Sequence, residues 1–206
     1  MRESMQGRLT RLPKRNTRAI FDRMATGGSV VILASLMLLP GHTAAAKDSW
    51  LRDGVAAPKA ANMAQSRGFA AMQIATDKPD QLMANWGKPG AVFDAGGTTK
   101  AVRNRPIVTF IVFRGCRADR LGHCNVVADF ETTGPSGKLY DRSVGTKIWT
   151  GRPPPPGYNL ELSEGGLGLR IENKDLLGSY RVRATVKDKI AGIVLHTEQV
   201  LTATEK

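Results

Sequence analysis

The amino-acid sequence predicts a mainly β protein built as an antiparallel β-sandwich. Beyond Pro106 the chain falls into short runs rich in β-branched and aromatic residues, separated by Gly, Pro, Asn and Asp turns. Several runs alternate apolar and polar residues, as expected for a sheet with one face on a core. No helical periodicity separates the runs. About seven strands in this arrangement are typical of an immunoglobulin-like sandwich.

The N-terminal residues have the charge and hydropathy order of a signal peptide. Seven Lys or Arg lie among the first 23 residues, an uncharged run extends from Ser29 to Pro40, and Ala44 and Ala46 follow. Small residues at these positions are what signal peptidase accepts, so we expect residues 1–46 to be cleaved off and the chain to be periplasmic or secreted. The alternatives are a core helix or a membrane anchor, but this run rises only about 18 Å as a helix against about 30 Å of hydrocarbon.

Cleavage after Ala46 changes the charge balance. Residues 1–46 hold seven basic and two acidic side chains, so 160 residues remain with 23 Lys or Arg, 16 Asp or Glu and a net charge of +7. This length is sufficient for one domain with its own core. The basic residues form no run, which argues against nucleic-acid binding and leaves acidic surfaces as candidate partners.

Two segments are expected before the sandwich. Residues 47–68 are rich in Ala and small polar residues without a sustained period, which predicts a flexible linker. Residues 69–105 are predicted to form a strand and a short helix with Asp77 as its N-cap, and to pack on the sandwich of residues 106–206. Trp86, on the apolar face of that helix, is interpreted as a core residue.

The strands of the sandwich are read from their residue patterns. The run "PIVTFIVFRGC" predicts a central strand, and "SYRVRATVKD" has the clearest period of two. The last strand begins at Ile193 and loses its phase near Gln199, where we expect a bulge. Further strands are predicted in "NVVADFETT", "TKIWTG", "YNLEL" and "LGLRIE", with a turn at "GPSGK". The glycines of "GGLGLR" are interpreted as a turn into a strand.

The chain's two cysteines are predicted to form a disulfide bond. Cys116 follows one predicted strand and Cys124 begins the next, and antiparallel neighbours bring such ends within bonding reach. An exported chain also meets an oxidising compartment. A zinc or redox site using Asp119 and His123 with the cysteines is the alternative, but structural zinc sites usually have a second ligand pair, which the sequence lacks. With a disulfide, Asp119, Arg120 and His123 would stand at an exposed loop tip as candidate recognition residues.

The segment "WTGRPPPPGY" is a second candidate surface. Four consecutive prolines favour an extended, preformed segment without backbone donors, flanked by Trp149 and Tyr158. It is interpreted first as a stiff connection between strands that prevents edge pairing. The alternative is a docking surface in which the two aromatic side chains contact a protein or a glycan.

No motif predicts catalysis or a cofactor. The sequence has no Gly-x-Ser-x-Gly elbow, and the paired carboxylates Asp129 and Glu131 are of a kind that any β domain offers. His196 lies in the last predicted strand and is interpreted as an ordinary strand residue. We therefore expect a protein that is not an enzyme and binds neither a metal nor a cofactor.

Three segments, "PIVTFIVFRGCRADRLGHCNVVADFET", "KIWTGRPPPPG" and "GSYRVRATVKDKIAG", resemble a group of uncharacterised exported proteobacterial proteins with a single immunoglobulin-like domain. The resemblance covers residues 69–204, and it implies fold and export but no activity. The sequence thus predicts an exported, non-catalytic module that binds an envelope protein or glycan. A carbohydrate-binding module using Trp149 and Tyr158 is the first alternative, and a metal or redox protein using the cysteine loop is the second.

Overall fold

The structure, a computed structural model, describes residues 51–52, 55–56, 59–88, 97–157 and 159–206. The predicted signal peptide of residues 1–46 lies outside the described residues. The elements in chain order are β1 (Leu51–Arg52), β2 (Val55–Ala56), β3 (Met63–Ser66), β4 (Phe69–Thr76), α1 (Pro79–Asn85), β5 (Lys100–Val102), β6 (Pro106–Arg114), β7 (Cys124–Thr133), β8 (Leu139–Arg152), β9 (Glu161–Arg170), β10 (Gly178–Asp188) and β11 (Ile193–Thr204).

The described chain is mainly β, with two principal sheets and one short helix. One sheet has the order β3-β4-β6-β9 and is antiparallel throughout. The other has the order β5-β11-β10-β7-β8, in which only β5 runs parallel to its neighbour, β11. One of these sheets is curled into a half-barrel. The strands β1 and β2 pair separately as a two-stranded antiparallel sheet.

The main core lies between the two sheets and follows the predicted alternation. On β10 the predicted inward residues are buried, and the intervening charged residues face solvent: Tyr180, Val182, Ala184 and Val186 are each at most 1% exposed. Strand β6 is central, as predicted, and places Ile111 and Phe113 in this core.

A second apolar cluster covers the opposite face of β6. Phe110 and Val112 are buried there with residues of β4 and β9. Leu82 in helix α1 and Trp86 just after it are half-buried and pack against this cluster. Trp86 therefore packs on the outside of the sheet. Asp77 is not the N-cap, because Lys78 holds that position and its N–H binds the hydroxyl of Thr76 at 3.0 Å.

Several sequence boundaries differ from the structure. Part of the predicted linker, Met63–Ser66, forms strand β3, and Phe69–Thr76 is an integral strand of the sheet, so one sheet combines strands from both sides of residue 106. Strand β11 has no bulge near Gln199, since its ladder with β10 is continuous and Gln199 simply occupies an inward position. Inward positions near Gln199 are polar, so the sequence suggests a loss of the apolar–polar alternation although the strand keeps its register.

The two strands predicted around "YNLEL" and "LGLRIE" form one strand, β9, with an irregularity in its middle. The register with β6 shifts there, and the hydroxyl of Ser163 accepts the backbone N–H of Ile111 at 3.1 Å in place of a ladder partner. Gly166 lies so close to β6 that an added Cβ would meet the carbonyl oxygen of Thr109 at 2.6 Å. Gly165 and Gly166 therefore allow close strand packing, and the segment is part of a strand rather than a turn.

The connection between β9 and β10 is fixed by Tyr180. Its ring is buried, its hydroxyl donates to the carbonyl of Leu176 at 2.8 Å, and Tyr140 packs edge-on at 5.0 Å between ring centroids. The hydroxyl of Tyr140 in turn donates to the carboxylate of Asp175 at 2.6 Å. The two tyrosines thus connect strands β8 and β10 to the loop between β9 and β10.

We expect Tyr180→Phe to lower the free energy of unfolding by about 1 kcal/mol, because a largely buried carbonyl loses its donor. Chemical denaturation measures the change. Leu176→Ala is the control, since it removes an exposed side chain and leaves the carbonyl, and it should change stability by less than about 0.5 kcal/mol. Equal effects of the two variants would contradict the role of the hydrogen bond.

Candidate functional site

Four connections emerge at one end of the two sheets. They are the β3–β4 turn, the β6–β7 loop, the β8–β9 connection and the β10–β11 turn, here called the loop end. Cys124 pairs with Arg152, so the β6–β7 loop and the proline segment begin on neighbouring strands. The N–H of Lys189 donates to the carbonyl of Asn125 at 3.0 Å, which brings the β10–β11 turn beside them. The structure therefore unites the two segments singled out in the sequence.

The predicted disulfide bond between Cys116 and Cys124 is confirmed. The two Cα atoms are 6.0 Å apart and both side chains are buried. Both sulfur atoms are used in the bond, so neither cysteine is a free thiol or a thiolate ligand for zinc. Among the described residues, no group of three His, Cys, Asp or Glu side chains could hold a metal ion.

Asp119 is used to shape the loop. One of its carboxylate oxygens accepts the backbone N–H groups of Leu121 at 2.8 Å and His123 at 2.9 Å. The hydrogen bond from His123 is the main cause that holds the pKa of Asp119 below its usual value of 3.8, with a further contribution from Leu121. The predicted recognition residue Asp119 thus has a structural task within the loop.

Asp188, which the sequence reasoning did not select, joins two connections of the loop end. Its carboxyl group is 1% exposed and accepts the backbone N–H groups of Arg117 at 2.8 Å and of Ile190 and Ala191 at 3.0 Å each. The sequence does contain an indication of this role, because Asp188 occupies an inward position in the alternation of β10. A charged residue at an inward position needs hydrogen-bond partners nearby.

Trp149 is buried rather than exposed as a contact platform. Its side chain is 8% exposed, its ring packs on Phe113 at 5.5 Å, and its indole N–H donates to the carbonyl of Pro153 at 2.8 Å. The guanidinium group of Arg152 covers the ring at 3.8 Å from its centroid. Trp149 therefore offers no open face for a sugar, and its environment favours the prediction of a stiff strand connection. Tyr158 lies outside the described residues.

The side chains that the loop end presents to solvent are mostly basic or apolar, with Asp119 as an exposed acidic residue among them. Arg117, Arg120 and His123 are exposed, as the sequence predicted for Arg120 and His123. Leu121, between Arg120 and His123, is 79% exposed. This leucine is the most exposed large hydrophobic residue in the described part of the chain. The disulfide bond, Asp119 and Asp188 all fix the backbone that carries these side chains.

Two cavities lie elsewhere on the described surface. A polar cavity of about 320 Å³ on the outer face of the five-stranded sheet contains His196, Asp129 and Glu131. Asp129 is paired with Lys187 at 2.5 Å and Glu131 with Arg142 at 3.4 Å, so both carboxylates have cationic partners. A larger cavity of about 580 Å³ lies beside helix α1 and is lined by apolar groups that include Trp86.

The comparisons with known proteins identify no relative. No protein-family model matches the chain, and no curated protein matches it at a significant level. Within the described residues, no helix has the length and apolar character needed to cross a bilayer. The geometry of the loop end is therefore the basis for the functional argument.

We expect the double variant Cys116→Ala, Cys124→Ala to be less stable by about 2.5 kcal/mol, because the open loop gains entropy in the unfolded chain. Denaturation of the variant and of the wild type, with and without reductant, measures the loss. The reduced wild type serves as the matched control and should resemble the variant. Equal stability of the oxidised wild type and the variant would contradict the expectation.

The lowered pKa of Asp119 predicts an acid-sensitive loop. Its ionised form is favoured in the folded chain, so its contribution is present above the unfolded pKa near 3.8 and is lost as the pH falls through the lower folded value. NMR titration should show the amide protons of Leu121 and His123 shifting with a midpoint below 3.8. The variant Asp119→Asn should abolish that titration, and a midpoint above 3.8 would contradict the account.

Proposed function

We propose that this chain is an exported, non-catalytic immunoglobulin-like module that binds a component of the cell envelope through its loop end. The observation that carries the binding proposal is the pinned, solvent-exposed tip at Arg120, Leu121 and His123. The disulfide bond, Asp119 and Asp188 fix the backbone of this tip. The packing of the sandwich core does not depend on the side chains of the tip. Ordering a loop in advance lowers the entropy cost of binding.

The strand order supports the immunoglobulin-like part of the proposal. If β4, β6, β7, β8, β9, β10 and β11 are matched in order to strands A, B, C, C′, E, F and G, the sheets read A-B-E and G-F-C-C′. The hydrogen bond from Tyr180 to the carbonyl four residues earlier corresponds to the tyrosine corner at the start of strand F. The chain lacks the disulfide between strands B and F of antibody domains, since its two cysteines are joined to each other across the β6–β7 loop.

This strand matching also supports the choice of site. In it, the β6–β7 loop is the B–C loop and the β10–β11 turn is the F–G loop, which lie at the end that carries the binding loops of variable domains. The architecture thus favours the same end that the exposed side chains indicate. Loops carried by a rigid sandwich are a common place for recognition.

Export is supported by the leader-like N-terminal residues and by the disulfide bond between Cys116 and Cys124. Disulfides persist in the periplasm and outside the cell and are rare in the cytosol. The net charge of +7 that remains after residues 1–46 favours acidic envelope components as partners.

The experiment is site-specific photo-crosslinking in living cells with the tagged full-length chain. A photoreactive residue replaces Leu121 in one variant and Val144, which is 65% exposed on β8, in the matched control. We expect a recurrent envelope adduct from position 121 and none from position 144. We also expect a fractionated product of 160 residues in the periplasm, with a mass two hydrogens below the reduced value.

Two results would overturn the proposal. Full-length chain with two free thiols in the cytoplasm would exclude export. Identical adduct patterns from positions 121 and 144 in correctly processed protein would exclude the loop end as the binding site.

A further inference from the structure

The loop end carries an excess of positive charge. Basic side chains lie in all four of its connections or at the strand ends beside them: Arg67, Arg114, Arg117, Arg120, Arg152 and Lys189. Of the acidic residues nearest to the β6–β7 loop, Asp119 and Asp188 direct their carboxyl groups to backbone N–H groups. Asp188 is buried, whereas the carboxylate of Asp119 binds the loop backbone but stays exposed beside Arg117 and Arg120, so basic side chains still outnumber acidic ones at this surface.

Leu121 protrudes from this basic surface. Single exposed leucines are common on proteins and need no explanation by themselves. Leu121 differs because the Cys116–Cys124 bond and the carboxyl groups of Asp119 and Asp188 prevent its loop from folding back on the domain. Its apolar side chain stands between Arg120 and His123, with Arg117 at the base of the same loop.

A protruding apolar group ringed by cations fits a lipid surface better than a protein surface. A protein partner has to supply a matching pocket for a projecting side chain, whereas the interfacial region of a bilayer is fluid and accepts one without a preformed shape. Arginine binds phosphate groups with two parallel hydrogen bonds. Basic residues near an anionic bilayer each add to the affinity.

We infer that the loop end docks on anionic phospholipid headgroups, with Leu121 inserted into the interface and Arg117 and Arg120 on the phosphates. This inference rests on the proposed function and names lipid as the envelope component. Lys189 lies beside the loop and extends the basic surface, whereas Arg152, also beside it, is paired with Glu164 at 3.3 Å. The outer sheet face, where acidic and basic side chains pair with one another, is not part of the contact.

Vesicle sedimentation tests the inference with the chain as purified from the producing cells, all variants being prepared alike. The probes are vesicles of phosphatidylcholine alone and of an equal mixture of phosphatidylcholine and phosphatidylglycerol. We expect binding to the mixed vesicles only, and weaker binding as salt is raised, since salt screens the attraction.

Variants of the loop tip identify the contact. Leu121→Ser should weaken binding to the mixed vesicles by about tenfold, because one leucine side chain no longer leaves water. The double variant Arg117→Gln, Arg120→Gln should weaken it by about twenty-fivefold, at about fivefold for each charge. Val144→Ser and the double variant Lys138→Gln, Lys174→Gln are the matched controls, with the two lysines at the opposite end, and should stay within about twofold of the wild type.

Several outcomes would overturn the inference. One is equal binding to both vesicle types, and another is loop variants that bind as tightly as the wild type. If wild-type protein binds no vesicles but position 121 crosslinks to one envelope protein in cells, the lipid inference fails and the proposed function stands. If both experiments are negative, the proposed function fails as well.

Discussion

Strand β6 is buried on both faces, and the rest of the fold depends on this constraint. Ile111 and Phe113 face the second sheet, while Phe110 and Val112 face outward and still have at most 4% exposure. An apolar strand of this kind needs cover on two sides. The five-stranded sheet supplies one side, and Leu82 and Trp86 help to cover the other. The helix is therefore a part of the domain rather than an addition to it.

At the loop end, two acidic side chains shape the connections, while most of the basic side chains face solvent. The carboxyl groups of Asp119 and Asp188 hold backbone N–H groups that strands do not satisfy. Backbone donors in a connection need partners, and an acidic side chain is a strong acceptor for them. Arg117 and Arg120 of the β6–β7 loop lie at the surface, while Arg152 covers the ring of Trp149 and pairs with Glu164. Positive potential at this end is thus a product of how the loops are built.

Those features that depend on periodicity or on covalent chemistry could be predicted from the sequence. The alternation in β10 and the central position of β6 each follow from a local pattern. The disulfide bond was predicted correctly but on a wrong premise, because β6 and β7 are not paired neighbours and lie in different sheets, so the short loop that crosses between the sheets brings the cysteines together. Strand β3 could not be predicted, because its half-buried edge position leaves little periodicity in the sequence. The single strand β9 was missed because its irregularity is compensated by a side chain, that of Ser163, which no pattern reveals.

Only those parts of the candidate site that follow from local sequence patterns could be predicted. An exposed tip between Cys116 and Cys124 follows from their spacing, and Arg120 and His123 lie there as expected. The task of Asp188 depends on a contact across the fold, because the Arg117 N–H that it accepts lies 71 residues earlier in the chain. The task of Asp119 is local, since it accepts the N–H groups of Leu121 and His123, but it depends on a loop conformation that no pattern reveals. The sequence does not reveal that Trp149 is buried, because its burial depends on packing by Phe113 and Arg152. For that reason a contact platform at Trp149 stood as an alternative in the sequence analysis.

Strand β11 has a consequence for the order in which the domain can assemble. It is the last strand in the chain, yet it receives segments from the beginning: its Glu198 N–H binds the carbonyl of Ala61 at 2.7 Å, and its Thr202 N–H binds that of Thr99 at the same distance. Strand β5 also has its ladder partner there. Contacts this distant in sequence close late and slow folding. Segments near residues 61 and 100 must therefore wait without these partners until strand β11 has been synthesised, and this strand then fixes both segments.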